Sequence, residues 1–288
     1  LGFSKANNLA VKKAKGKYIC ILNPDTVVPE QIFSNLLKFV KTVPDFGAVG
    51  VKLIDGKGQF LPESKRQIPT PKVAFQKMVG NATNYYASNL ESNDIGCVDV
   101  LVGAFMFMSR QRYLQVGGFD EDYFMYGEDI DLSYKLLKAG YKNYYYGKDS
   151  VIHFKGESTT KDEVYRARFY GAMQLFYKKH FSNSKFTNLI VKAALKVVKK
   201  ANKAQGLDTD KELPSNVFIY IGNSSDCVAI LSKLKNKQVQ HLSLKELQKL
   251  TLKNSQLILD SQFFSFKEII SLLEQYGHHN NTFRIKLK

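Results

Sequence analysis

Three short stretches of the chain gather residue types that do chemistry. Asn23-Pro24-Asp25 follows the apolar run Tyr18-Ile19-Cys20-Ile21-Leu22, Gly127-Glu128-Asp129-Ile130-Asp131 opens a helical pattern, and His153 closes a second short apolar run. Carboxylates and an imidazole are the groups that take up protons and hold divalent cations. Each stretch also has a plain structural explanation. Asn, Pro and Asp form turns, acids in a first helical turn are favoured by the helix dipole, and a lone histidine is ordinarily a satisfied structural group. On these residues alone the turn is the simpler reading of Asp25; the sharper one is that it ends a buried parallel strand, where open α/β sheets bind ligands.

The elements that must position these residues follow from pattern. A helix starts near Ser4 and stops at Gly16, and a strand covers 17–22. Pro29-Glu30 opens a helix through about Thr42, proline being suited to its first turn. Residues 46–53 read as a short buried strand before the turn Asp55-Gly56-Lys57-Gly58. Residues 60–95 lack periodicity and read as a long, partly helical excursion. The apolar run 98–109 is long enough for a central strand, and 110–116 is a short helix ended by Gly117-Gly118. Ile130, Leu132, Leu136 and Leu137 share one helix, with Gly140 just past its end. Residues 144–146 and 150–153 are two short strands, and 163–182 form an aromatic-rich helix.

After a polar linker at 206–214, residues 216–221, 239–242, 256–260 and 282–287 read as strands with helices between them. Two of those helices open with capping boxes, Ser243/Glu246 and Ser265/Glu268. Alternating strands and helices predict a small parallel α/β domain over 215–288. Its first turn, from Gly222 to Asp226, suits phosphate at a helix N-terminus, but reads more simply as an ordinary β–α turn.

Composition narrows the setting. With 288 residues, 44% of them hydrophobic, the chain can bury a sizeable core as one large domain or two. A formal charge of +16 implies anionic partners. Cys20, Cys97 and Cys227 are odd in number and far apart, which fits neither a disulfide framework nor a zinc knuckle and points to a reducing compartment. No apolar run approaches the ~20 residues that span a bilayer. Residues 185–203 contain six lysines, no acid and an aliphatic complement. The plain reading is a solvated helix face. The apolar surface beside the lysines suits a helix lying on an anionic membrane instead.

Taken together, several features resemble glycosyltransferase family 2, inverting enzymes of GT-A fold. They are Gly2-Phe3-Ser4-Lys5-Ala6-Asn7-Asn8, the strand with Leu22-Asn23-Pro24-Asp25-Thr26, Gly117-Gly118-Phe119-Asp120-Glu121 with the acidic helix start, and Val151-Ile152-His153 with Gly156 and Ser158. Within the family, the rhamnosyltransferase-like enzymes of bacterial polysaccharide assembly are most similar. The resemblance runs over roughly 2–181 and leaves 206–288 outside.

What the resemblance implies is specific. The fold is an α/β, GT-A-type (Rossmann-like) mixed sheet flanked by helices over 1–184; pattern and composition, not the resemblance, add the basic amphipathic helix at 185–205, the linker and the C-terminal domain. The activity is transfer of a sugar such as rhamnose from a dTDP- or UDP-linked donor to a saccharide or lipid-linked acceptor. The diphosphate leaving group calls for Mg2+ or Mn2+. In the family's Asp-x-Asp motif Asn23 replaces the first acid and Asp25 keeps the second. Asp25 and His153 are the implied metal ligands, with Asn8 and Asn23 on the donor side. Asp129 matches the family's base, and Glu128 places the acceptor or tunes that base. Gly117, Gly118 and Asp120 belong to an acceptor-side loop, and Asp131 is structural.

Family members open with a strand–helix–strand unit that holds the nucleotide base. A chain whose first residue, Leu1, already belongs to the next helix is therefore expected to be N-terminally truncated, with an exposed sheet edge. An alternative follows from that expectation: a catalytically inactive fragment acting as a binding module. Nucleic acid is not an expected partner, because the lysines cluster with aliphatics and no nucleic-acid motif is present. A lipid-linked acceptor places the protein in the cytoplasm, peripheral on the inner face of the membrane.

Overall fold

The computed structural model describes residues 2–78, 81, 83–154, 163–181, 217–222 and 239–287. The basic helix at 185–205, the linker at 206–214 and the turn beyond Gly222 lie outside the described residues.

The larger sheet contains β1 (Tyr18–Leu22), β2 (Thr26–Val27), β3 (Phe46–Ile54), β4 (Ile95–Val98), β5 (Phe105–Ser109) and β6 (Lys142–His153). The order is β1-β5-β3-β6, and β2 and β4 both pair with β6 at opposite ends of its far edge. Only β3 and β6 run parallel; β5 is antiparallel to β1 and β3, as are β2 and β4 to β6. The sheet is therefore mixed, as expected.

Period-2 alternation along the strands sorts their side chains onto two faces. Val49, Val51, Leu53, Phe105 and Phe107 face α2 (Ile32–Val40) through Ile32, Leu36 and Val40. Ala48, Met106 and Met108 face the opposite layer of α1 (Phe3–Lys13), α4 (Arg110–Gln115) and α5 (Glu128–Lys138). A third cluster joins α5 to α6 (Glu163–His180) through Ile130, Met173 and Phe176. The remaining helix of this part, α3 (Pro71–Met78), lies in the excursion after β3.

Three expectations change. The run 98–109 is not one strand: β4 ends at Val98 and β5 begins at Phe105. Between them Val100 forms an isolated backbone bridge with Arg66, while Leu101 N–H donates to Ser133 Oγ and Gly103 N–H to Asp129 Oδ2. Conversely, 144–146 and 150–153 merge into β6, which follows β3 across an irregularity between Tyr146 and Ser150. The helix expected from Pro29 begins at Ile32, with Pro29 and Glu30 in the approach to it.

The C-terminal sheet comprises β7 (Val217–Ile221), β8 (Val239–His241), β9 (Ser255–Asp260) and β10 (Thr282–Lys286), all parallel in the order β10-β9-β7-β8. Its described helices are α7 (Leu244–Leu247) and α8 (Phe266–Tyr276), and both capping boxes are formed. This sheet packs onto the first one. Ile54 and Ile152 are buried in the same apolar cluster as Ile219, Leu257 and Leu273. Among the described residues, no helix is long and apolar enough to cross a membrane.

Candidate active site

The turn after β1 brings Asn23 and Asp25 to the end of β6. Asn23 N–H donates to Ala104 O (3.0 Å), and Thr26 Oγ1 closes the turn on Asn23 O (2.7 Å). Thr26 then pairs with His153 in the β2–β6 ladder, and Phe154 N–H donates to Asp25 O. The result is a small polar cluster. His153 Nε2 stands 3.4 Å from Asp25 Oδ1 and 3.5 Å from the Asn23 amide nitrogen. His153 is nearly buried, while the Asp25 side chain keeps 35% of its surface in solvent. One carboxylate and one imidazole facing each other suit a divalent cation whose remaining ligands come from a substrate's phosphates. No group of three or more His, Cys, Asp or Glu side chains gathers as a metal cage among the described residues.

The acidic helix start forms a second cluster. Tyr126 and Gly127 take consecutive left-handed conformations, φ 70° and 81°, and turn the chain sharply into α5. A tyrosine in that region is a local strain of the kind found where the fold must aim a side chain. Asp129, one residue into the helix, is salt-bridged to Arg66: Nη2 lies 2.7 Å from Oδ2, and the same oxygen accepts from Gly103 N–H at 3.1 Å. Arg66 Nη2 also donates to Leu101 O. Burial works against the Arg66 charge, but the adjacent Asp129 carboxylate outweighs it and binds the guanidinium proton more firmly than usual.

Glu128 has no such partner. Its Oε2 is buried without a hydrogen-bond partner among the described residues. Burial first, and the Asp129 charge second, push its carboxyl up to about 8. The two neighbouring acids are thus differentiated: Asp129 is paired with Arg66, and the unpaired Glu128 holds its proton more firmly than an ordinary carboxyl. Asp131 is 1% exposed and is paired with Lys135 (3.0 Å) and His180 (2.6 Å), a structural clasp between α5 and α6.

A third group sits around the Gly117-Gly118 turn. The Asn8 amide is spent within the protein: Oδ1 accepts from Tyr113 O–H and Phe119 N–H, and Nδ2 donates to Phe119 O and Glu121 Oε1. Gly118, at φ 63°, could carry no Cβ, since one would lie 2.7 Å from Asn8 Oδ1 and 2.6 Å from the Tyr113 ring. Asp120 is ion-paired with Lys179 of α6, which holds its carboxyl below the usual range although burial alone would raise it. Asn8, Gly117, Gly118 and Asp120 line an open depression together with Lys12 and Lys135, and none of Asn23, Asp25, Glu128, Asp129 or His153 lines it.

The first two clusters share one short piece of backbone. Leu101 O holds Arg66, Gly103 N–H holds Asp129, and the next residue, Ala104, holds Asn23. The Asp129 carboxylate and the Asn23 backbone are thus anchored at neighbouring residues, Gly103 and Ala104, whose Cα atoms are about 3.8 Å apart. Sequence reasoning missed both Gly103 and Arg66. Gly103 lay inside an apparent strand, and Arg66 in a stretch without periodicity. The one available signal was the need of three acids at one helix start for a buried counter-charge.

Comparison with known proteins adds the following. Residues 18–201 match the family described as Glycosyl transferase family group 2. An N-acetylglucosaminyl-diphospho-decaprenol L-rhamnosyltransferase of Mycobacterium tuberculosis is 31% identical over 152 residues, covering 50% of this chain and 49% of that protein. Rhamnosyltransferase WbbL of Escherichia coli is 31% identical over 164 residues, covering 53% of this chain and 61% of that protein. The match thus spans about half the length of the first of these relatives. Among solved structures, the mannosyltransferase PcManGT of Pyrobaculum calidifontis, in complex with GDP-Man and Mn2+, aligns over 72% of this chain and 56% of that one, with TM-score 0.40 and 17% identity.

Proposed function

The chain belongs to glycosyl transferase family group 2, and from that premise we propose that it moves a sugar, rhamnose being the candidate, from a dTDP- or UDP-linked donor to a saccharide or lipid-linked acceptor with inversion at the anomeric carbon. The observation that supports this reading is the Gly103-Ala104 backbone, which bonds the Asp129 carboxylate at Gly103 N–H and the Asn23 backbone at Ala104 O. Inversion needs a base on one side of the anomeric carbon and a stabilised leaving group on the other.

Asp25 and His153 would hold the divalent cation, Mg2+ or Mn2+, with Asn23 contributing a neutral amide to the donor. The cation supplies neutralisation of the charge that builds on the departing diphosphate. On the opposite side the acceptor hydroxyl attacks the anomeric carbon, and its proton passes to the Asp129 carboxylate as the new C–O bond forms and the bond to the diphosphate breaks. Arg66 and the Gly103 amide fix Asp129 Oδ2 and leave the carboxylate one orientation. Glu128, protonated near neutral pH, donates a hydrogen bond to the acceptor rather than competing for its proton. Asn8, Gly118 and Asp120 act one step back by shaping the loop that leads into α5. The lysine-rich segment 185–203 would hold the enzyme on an anionic membrane, close to a lipid-linked acceptor.

The test is release of nucleoside diphosphate from dTDP-rhamnose and a panel of UDP-sugars, with Mg2+, Mn2+ or EDTA. Metal-stimulated release that is mostly lost in Asp25→Asn is expected. Metal-independent turnover unaffected by that change would overturn the assignment.

A further inference from the structure

β2 is two residues long, and its ladder consists of Thr26 opposite His153 and Val27 opposite Ile152. So short a strand does not hold itself in place, yet it fixes Asp25 on one side of the ladder and His153 on the other. Alternation along β6 places Ile152 and Phe154 on the face opposite to His153. That opposite face is covered by the C-terminal domain: Val27, Ile152 and Phe154 belong to one apolar cluster with Ile219, Leu257 and Leu273.

Three further contacts fasten the same edge. Three residues after Val27, the Glu30 carboxylate accepts from Phe266 N–H (2.7 Å) and Lys267 N–H (3.3 Å), capping the first turn of α8. At the other end of that helix, Glu274 takes Lys52 Nζ (2.6 Å) and Ser150 Oγ (2.9 Å). The Asp55–Gly58 turn after β3 is pressed against it too. A Cβ on Gly58 would lie 2.0 Å from Leu273 O, and one on Gly277 2.1 Å from Lys57 O. Together with the buried apolar cluster, these contacts hold the C-terminal domain against the first sheet.

We propose that the C-terminal domain is a positioning element of the active site: α8 and the core beneath it clamp β2 onto β6, and that clamp sets the distance between Asp25 and His153. The proposal rests on the reading of Asp25 and His153 as the metal-holding pair. It gives 217–287 a role in the transferase itself, with Val27, Glu30 and Ile152 as the positioning residues on the catalytic side.

The experiment uses the full chain and the variants Leu273→Ala, which opens a cavity under the clamp, and Glu30→Gln, which weakens the cap of α8 while leaving the core intact. Hydrogen exchange of segments 23–28 and 150–154 is the first readout and needs neither metal nor donor. Protection there is expected to fall at least ~10-fold in Leu273→Ala, and less in Glu30→Gln. Mn2+ affinity, read by water-proton relaxation, is expected to weaken about 10-fold in Leu273→Ala, as for loss of support behind a ligand. Should Leu273→Ala unfold the C-terminal domain, the two segments still decide: lost protection supports the clamp, and wild-type protection overturns it. Exchange confined to 255–276 with unchanged Mn2+ affinity likewise overturns it. A wild-type chain that binds no Mn2+ would refute the metal reading of Asp25 and His153, while the exchange result would still decide the clamp.

Discussion

Removing Arg66 is the sharpest perturbation of the carboxylate cluster. The Arg66 and Asp129 side chains are 9% and 12% exposed, and their ion pair is 2.7 Å long. Arg66→Met leaves a buried carboxylate with the Gly103 and Ile130 amides but no counter-charge, and Asp129→Asn leaves a buried guanidinium with Leu101 O and Tyr85 but no carboxylate. Breaking a buried pair from one side costs about 3–5 kcal/mol. The double variant Arg66→Met/Asp129→Asn strands no charge, so its loss should be smaller than the sum of the single losses, with a coupling of roughly 2–3 kcal/mol. Urea denaturation of the four proteins measures this, urea being preferable to an ionic denaturant that screens charge. Single losses that add within about 0.5 kcal/mol would refute the reasoning, because they would show that the pair behaves like a solvated surface contact.

Glu128 supplies a pH dependence. Its carboxyl rises from 4.5 to about 8 on folding, so between those values the folded state keeps a proton that the unfolded state has released. Stability through this group falls as pH rises across that window, by at most about 1.4 kcal/mol per pH unit. The stability of Glu128→Gln relative to wild type should therefore climb from pH 5 to pH 8, and a constant difference in thermal unfolding would contradict the assignment. For the lysine-rich segment, replacing Lys192, Lys196, Lys199 and Lys200 with Gln should release the protein from anionic vesicles, and salt should imitate the change. Equal co-sedimentation of wild type and variant would assign the lysines to the fold instead.

The parts of this molecule legible in its sequence are those governed by local pattern. The Gly117-Gly118 helix stop, both capping boxes and the four C-terminal strands follow from turn chemistry and periodicity, and the structure contains them. The proximity of Asn23, Asp25 and His153 was carried by family motifs alone, since Asp25 and His153 are 128 positions apart and meet through the β2–β6 pairing and the Phe154 N–H bond to Asp25 O. Other features lay beyond pattern. Gly103 reads as part of a strand because Val102 and Ala104 are apolar, while its N–H serves a carboxylate from a distant helix. Arg66 carries no periodic signal, and its partner lies 63 residues away. The packing of the C-terminal domain against Ile54 and Ile152 is tertiary and leaves no trace in either segment's own pattern.

The central claim is that Asp129 accepts the acceptor's proton while Asp25 serves the donor. Its most direct test measures sugar transfer and donor affinity side by side in Asp129→Asn. Donor affinity within a few-fold of wild type, with turnover lowered by about 10²–10⁴ as for loss of a general base, is the predicted result. Transfer at the wild-type rate in Asp129→Asn, with Glu128→Gln inactive, would contradict the account and move the base to Glu128.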